Sequence, residues 1–121
     1  MERSMKENVI QDKCMAFAIR IVNLCHILSA EKKEYVLAKQ LLRAGTSIGA
    51  NLAEAGCSIS RKEFLAKVYI SFKECAETKY WLELLQKAKI ISSEEYTDLA
   101  KDCEEIYRIF SAITKTTRKN I

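Results

Sequence analysis

Arg43, Ser47, Asn51 and Glu54 recur at steps of four, four and three residues, which on a helix makes one polar stripe. A guanidinium fork, a hydroxyl and an amide in a row are groups that grip a phosphate or a partner's backbone. They are equally the groups that lock two helices together by hydrogen bonds, with Arg43 paired to a carboxylate. Glu74 and Glu77, one turn apart further along the chain, are the acids spaced to answer it. Residue type and spacing support both readings.

A second set of groups points to phosphate. The net charge is +4, and residues 57–90 hold seven Lys or Arg against four acids, whereas residues 91–121 hold five against six. Lys39, Arg61, Lys62, Lys67 and Lys73, with Lys79 beside them, are the cations expected to contact RNA or DNA. They act together only if they gather on one face instead of each sitting beside an acid. The balance permits an anionic partner without requiring one.

Catalysis finds no such foothold. A di-metal carboxylate bundle needs Glu-x-x-His on two helices, and the single histidine, His26, has no carboxylate three or four residues before it. No phosphate loop, nucleophile elbow or Cys–His pairing is present. Five cysteines, odd in number and without C-x-x-C spacing, fit neither a disulfide framework nor a zinc site. Cys14, Cys75 and Cys103 fall on apolar faces and read as small buried hydrophobes in a reducing cytoplasm. No enzyme activity, metal or cofactor is expected. No apolar run is expected to span a membrane, and "MERSMKENVIQDK" lacks the apolar core of a signal peptide.

These groups must be carried by helices. The chain has 121 residues, no proline and three glycines, a composition that favours helix over turn-rich sheet. Ile10, Cys14, Phe17, Ile21, Leu24 and Leu28 form one apolar seam. Leu37, Leu41, Ala44, Ile48, Leu52 and Ala55 form a second, with Gly56 expected as a left-handed stop. Ser60-x-x-Glu63 and Ser92-x-x-Glu95 have capping-box spacing. A third seam runs through Leu65, Val68, Phe72, Cys75 and Ala76, and a fourth through Tyr96, Leu99, Cys103, Ile106, Phe110 and Ile113. The tail "TKTTRKNI" is expected to fray. We therefore expect helices over 9–29, 35–55, 61–89 and 93–115, in a single-domain, all-α, antiparallel up-down-up-down four-helix bundle.

Two features exceed what a lone bundle needs. Phe64, Tyr69, Ile70, Tyr80 and Trp81 give the third helix a second apolar face, which suggests a subunit interface. All three glycines lie within "RAGTSIGANLAEAG", where each costs about 1 kcal/mol against alanine in a helix. Gly45 and Gly49 open a strip on which another backbone comes close, so Gly49→Leu is expected to overpack a contact.

"QLLRAGTSIGANLAEA" followed by "RKEFLAKVYISFKECAETKYWLELL" resembles a bacterial four-helix-bundle family. It includes proteins encoded in intervening sequences of large-subunit ribosomal RNA genes. More distantly, the chain is similar to the accessory variability determinants of diversity-generating retroelements, which are basic, barrel-shaped homopentamers. The resemblance implies a ring-like homo-oligomer, a pentamer, with no known enzymatic activity. It also implies recurrent polar positions at Arg43, Ser47, Asn51, Glu54 and Glu77. Many members have proline near Gly49, and this chain does not. The function expected is a non-catalytic adaptor associated with RNA, ribosomal RNA among it, or with another nucleic-acid-handling protein. The alternative is a protein-binding structural oligomer with no nucleic-acid role.

Overall fold

Seams of residues spaced by three and four bury only if the helices lie side by side, and short connectors make neighbours antiparallel. The computed structural model, which describes residues 5–119 and the side chains of residues 9–118, has this arrangement. Its elements are α1 (Met5–Ala30), α2 (Tyr35–Ala55), α3 (Arg61–Lys87) and α4 (Ser93–Lys119). Each helix packs against its two neighbours in the cycle and not across the diagonal. Phe17, Ile21, Leu41, Ile48, Val68, Leu82, Ile106 and Phe110 fill the centre with 2% exposure or less.

Helix ends follow local chemistry. Ser60 accepts a hydrogen bond from the Glu63 N–H at 3.1 Å. At the start of α4 the box is reciprocal, with Glu95 N–H donating to Ser92 Oγ at 3.0 Å and Ser92 N–H donating to Glu95 Oε1 at 3.2 Å. The fourth helix does not fray where expected, since Thr114 is buried and its hydroxyl bonds the Phe110 and Ser111 carbonyls. Residues 120 and 121 lie outside the described residues.

The third seam also departs from expectation. Ala76 is exposed, whereas Ser71 and Thr78 are fully buried. Each buried hydroxyl has a partner, as burial requires. Ser71 donates across to the Ile48 carbonyl of α2 at 2.9 Å, and Thr78 donates back to Glu74 O at 2.8 Å. A polar residue was thus compatible with the inner face because a backbone acceptor lay within reach.

The glycines serve close approach, not turns. No glycine has positive φ, and Gly56, expected to be left-handed, is right-handed at φ −64°. Its N–H reaches the Ala53 carbonyl at 3.2 Å and the Cys57 N–H reaches that of Glu54 at 3.0 Å, a tightening of the last turn that needs no left-handed residue. A Cβ on Gly45 would sit 2.8 Å from Ile21 Cγ2, and one on Gly49 would sit 3.2 Å from Cys14 Cβ. The close contact is therefore between α1 and α2 inside the bundle. The left-handed positions fall instead on Lys33 (φ 59°) and Lys89 (φ 63°). Lys89 closes a Schellman-type end, with its N–H on Gln86 O and the Ile90 N–H on Leu85 O. It also stops α3 two residues short of the expected end.

Two substitutions test this division of roles. Gly45→Ala should gain about 1 kcal/mol of helix propensity yet lower the melting temperature, because buried, β-branched Ile21 cannot yield without strain worth about 1–3 kcal/mol. Lys89→Gly should raise it by relieving a left-handed conformation that costs a side-chain-bearing residue about 1–2 kcal/mol. Thermal melts of both variants check the signs, and a raised melting temperature for Gly45→Ala would contradict the close contact.

Candidate nucleic-acid interface

The polar stripe on α2 turns toward α3. Arg43 bridges two acids there, with Nη1 3.2 Å from Glu74 Oε2 and Nη2 on Glu77. Trp81 Nε1 donates to the same Glu77 oxygen at 2.9 Å. Lys67 reaches back from α3 to Glu54 at 3.4 Å. Ser47 and Asn51 bond their own helix, Ser47 Oγ to Arg43 O at 2.5 Å and Asn51 Nδ2 to Ser47 O at 2.9 Å. The arrangement is a two-helix lock built from Arg43, Glu54, Lys67, Glu74, Glu77 and Trp81, and the stripe's phosphate-gripping groups are largely occupied by it.

The cations then divide. Lys67 pairs with Glu54, and Lys79 pairs with Glu104 at 2.7 Å while lying 5.4 Å from the Tyr107 ring. Lys39 is exposed on α2. Arg61, Lys62 and Lys73 are exposed on α3. Lys62 and Lys73, eleven residues apart, share the outward face by helical periodicity.

On that side α4 adds cations that sequence reasoning passed over. Arg118 lies 5.5 Å from the Tyr69 ring, and Lys115 and Arg108 are exposed on α4 seven residues apart. Together α3 and α4 present Lys62, Lys73, Lys79, Arg108, Lys115 and Arg118, interleaved with Tyr69, Tyr80 and Tyr107. Two acids are set among them: Glu104, shared by Lys79 and Arg108 (3.4 Å), and exposed Glu83, bound to Lys87 at 3.0 Å. Three further acids of α4 turn toward α1, where Asp98 and Asp102 both bind Arg20 and Glu105 binds Lys13 at 2.5 Å, and Glu95 caps its own helix at Ser92. The net acidity of residues 91–121 therefore hides a basic outer face. Its signal was the i, i+7 spacing of Arg108 and Lys115.

The second apolar face expected on α3 is partly used within the chain. Phe64 and Trp81 pack against the core, and Tyr69 lies against Phe72 with ring centroids 6.3 Å apart. Ile70 and Tyr80 stay outside. A larger uncharged surface lies on α1. From Cys14 to Ala30 the one charged residue is Arg20, and Met15, Ile19 and Ile27 are exposed, as is Leu42 on α2. Contrary to expectation, Val9–Ala30 is long and apolar enough by composition to cross a membrane. The physical reason is that α1 is apolar on both sides. One side, from Ile10 to Leu28, is the wall of the core, and only 33% of the apolar window is buried in the chain.

The buried thiols are poor nucleophiles. Burial pushes Cys14 up to about 12 and Cys25 to about 11. Cys75 is raised by its contact with Cys103, 3.8 Å away, and by burial. Among the described residues no cluster of three or more His, Cys, Asp or Glu is placed to hold a metal ion.

The sequence model of the 23S rRNA-intervening sequence protein family matches residues 6–112. A solved structure from Bacteroides thetaiotaomicron, described as a protein of unknown function from the S23 ribosomal protein family, is 49% identical. The match has a TM-score of 0.90 and covers 92% of this chain and 99% of that one. No curated protein matches the chain.

The lock has a pH signature. The Trp81 N–H and then Arg43 hold the Glu77 carboxyl below its ordinary value of 4.5. A carboxylate depressed in the folded state stabilises the fold above its unfolded pKa, and that contribution disappears as the pH falls through the folded value. Glu77→Gln should therefore narrow the difference in melting temperature between pH 7 and pH 3. With Arg43 49% exposed and Glu77 35% exposed, the effect should be about 1 kcal/mol or less. An unchanged pH dependence would remove Glu77 from the lock.

Proposed function

Because this chain belongs to the family of 23S rRNA-intervening sequence proteins, we propose that it is a non-catalytic, oligomeric adaptor that binds RNA, ribosomal RNA foremost, in the cytoplasm. The observation that carries this reading is the α3–α4 face. Six cations gather there around two acids, Glu104 and the Lys87-paired Glu83, with tyrosines between them. Scattered surface charge is ordinarily of mixed sign, and a patch of one sign raises the local concentration of an anionic partner.

Self-association follows from α1. An exposed, uncharged helix face with Met15, Ile19 and Ile27 costs free energy in water that a second copy removes at about 25 cal/mol per Å² covered. Placing the subunit contact on α1 and the adjoining edge of α2 leaves the α3–α4 face open in every copy. The resemblance to ring-shaped pentamers makes five the expected number. A ring repeats the basic face around its axis, so a weak site gains avidity wherever one RNA reaches several copies. The protein-binding reading, in which the oligomer serves only other proteins, draws on the same α1 face and dispenses with the basic one.

Each surface has its own test. Ile19→Glu should release monomers in light scattering while leaving the helical circular dichroism unchanged; an intact oligomer would place the contact elsewhere. Wild-type protein should bind mixed-sequence RNA with an affinity that drops steeply between about 50 and 200 mM salt. The triple variant Lys62→Gln, Lys73→Gln, Lys115→Gln should weaken binding to all sequences alike and flatten the salt slope by up to about three. Absence of binding at about 50 mM salt would leave the protein-binding reading.

A further inference from the structure

The outward face of α3 alternates charge and ring over most of its length. Lys62, Tyr69, Lys73, Tyr80 and Lys87 follow at steps of seven, four, seven and seven. At 100° per residue these steps hold all five within about 40° of one another around the helix axis. Tyr80 is the exposed ring of the series, 58% accessible. It stands about 10 Å along the axis from a lysine on either side.

Tyr80 is also held in place. Its ring meets Trp81 edge-on, with centroids 5.3 Å apart and planes at 70°. Trp81 is fixed through its indole N–H to Glu77, which Arg43 clamps from α2. The two-helix lock thus supports a flat apolar surface that the chain leaves uncovered. Three turns nearer the start of α3, Tyr69 lies against Phe72 on one side and near the Arg118 guanidinium on another. Lys87, the last of the row, is paired with Glu83 at 3.0 Å, so the strip open to an anion is Tyr69 and Tyr80 with Lys62, Lys73 and Arg118 beside them.

We propose that this strip is a binding site for single-stranded nucleic acid, in which an unpaired base stacks on Tyr80 and the flanking phosphates lie along Lys62, Lys73 and Arg118. The inference rests on the RNA-binding reading above and adds the strandedness and the ring that reads it. A cation row alone attracts duplex and single strand alike. An exposed, pre-oriented ring adds affinity only where a base can offer its face, and duplex pairing hides the faces inside the stack. α3 is flanked by α2 and α4, so it cannot sink into a groove as an isolated recognition helix does. The A-form major groove is in any case too narrow for side chains to read. Stacking is indifferent to base identity, so no strong sequence preference follows.

The test compares an unstructured mixed-sequence RNA strand with an RNA duplex of the same phosphate number, at about 50 mM salt, using the full-length oligomer. The single strand should bind about tenfold tighter than the duplex. It should also quench the fluorescence of Trp81, the sole tryptophan, which touches the stacking ring. Tyr80→Ala should cost about tenfold for the strand, leave duplex affinity unchanged and keep the salt slope. Tyr80→Phe should bind as the wild type does. Because Tyr80 is exposed, all variants should retain the wild-type melting temperature and sizing profile. If both RNAs bind but Tyr80→Ala leaves strand affinity intact, stacking is wrong and the RNA reading survives. If neither RNA binds at this salt, both fall.

Discussion

The contact between Gly45 and Ile21 is the constraint on which the rest of the molecule depends. A helix pair ordinarily stands 8–10 Å apart, held off by side chains. Here α2 presents bare backbone at Gly45 and, one turn on, at Gly49, and Ile21 and Cys14 of α1 close onto it. The intrinsic helix propensity lost at two glycines is offset by close packing, at Gly45 closer than a Cβ allows without a shift of Ile21 and at Gly49 tight against Cys14. That approach fixes the rotation of α2 about its own axis. With one side of α2 committed to α1, Arg43 and Glu54 are carried to the α3 side, where Glu74, Glu77 and Lys67 meet them. Ser71 of α3 then finds the Ile48 carbonyl within reach.

Charge follows from the same rotations. The acids of α4 that face α1 are consumed by Arg20 and Lys13, and those of α3 that face α2 by Arg43. What remains on the outer side of α3 and α4 is mainly cationic and tyrosine-rich, with Glu83 and Glu104 among the cations, while the outer side of α1 carries almost no charge at all. A chain of net charge +4 thereby acquires two surfaces of different character, one apolar and nearly uncharged and one mainly basic. Neither composition nor net charge reports such a separation, because it is produced by which acids the interhelical pairs withdraw.

Most of the fold was legible because seams spaced by three and four admit one explanation. The four helices lie where Ile10–Leu28, Leu37–Ala55, Val68–Cys75 and Leu99–Phe110 put them. The inner face of α3 was misread at Ala76, Ser71 and Thr78, since a small apolar residue and a hydroxyl exchange places wherever a carbonyl is at hand. Gly56 was misread because an isolated glycine after a helix suggests a left-handed turn, and the sequence offers no sign that Lys33 and Lys89 take that conformation instead. At the candidate site, the pairing of Arg43 with Glu74 and Glu77 could be read from spacing. Arg108 and Lys115 were signalled by their i, i+7 spacing, but Arg118 was not, because it required knowing that α4 continues to Lys119, and spacing did not say which of the acids turn away from them. The apolar outer side of α1 was hidden by its seam, which accounts for apolar residues without revealing how many are left over.

The central claim is that RNA lies on the α3–α4 face, and lysine footprinting tests it most directly. The protein is acetylated briefly at low salt with and without mixed-sequence RNA, and the modified lysines are quantified by mass spectrometry. Lys62, Lys73 and Lys115 should lose most of their reactivity when RNA is present. Lys33 and Lys89, in the two connectors at the far end of the bundle, should keep theirs. Protection centred on Lys33 and Lys89, or an even loss across all lysines, would contradict the account.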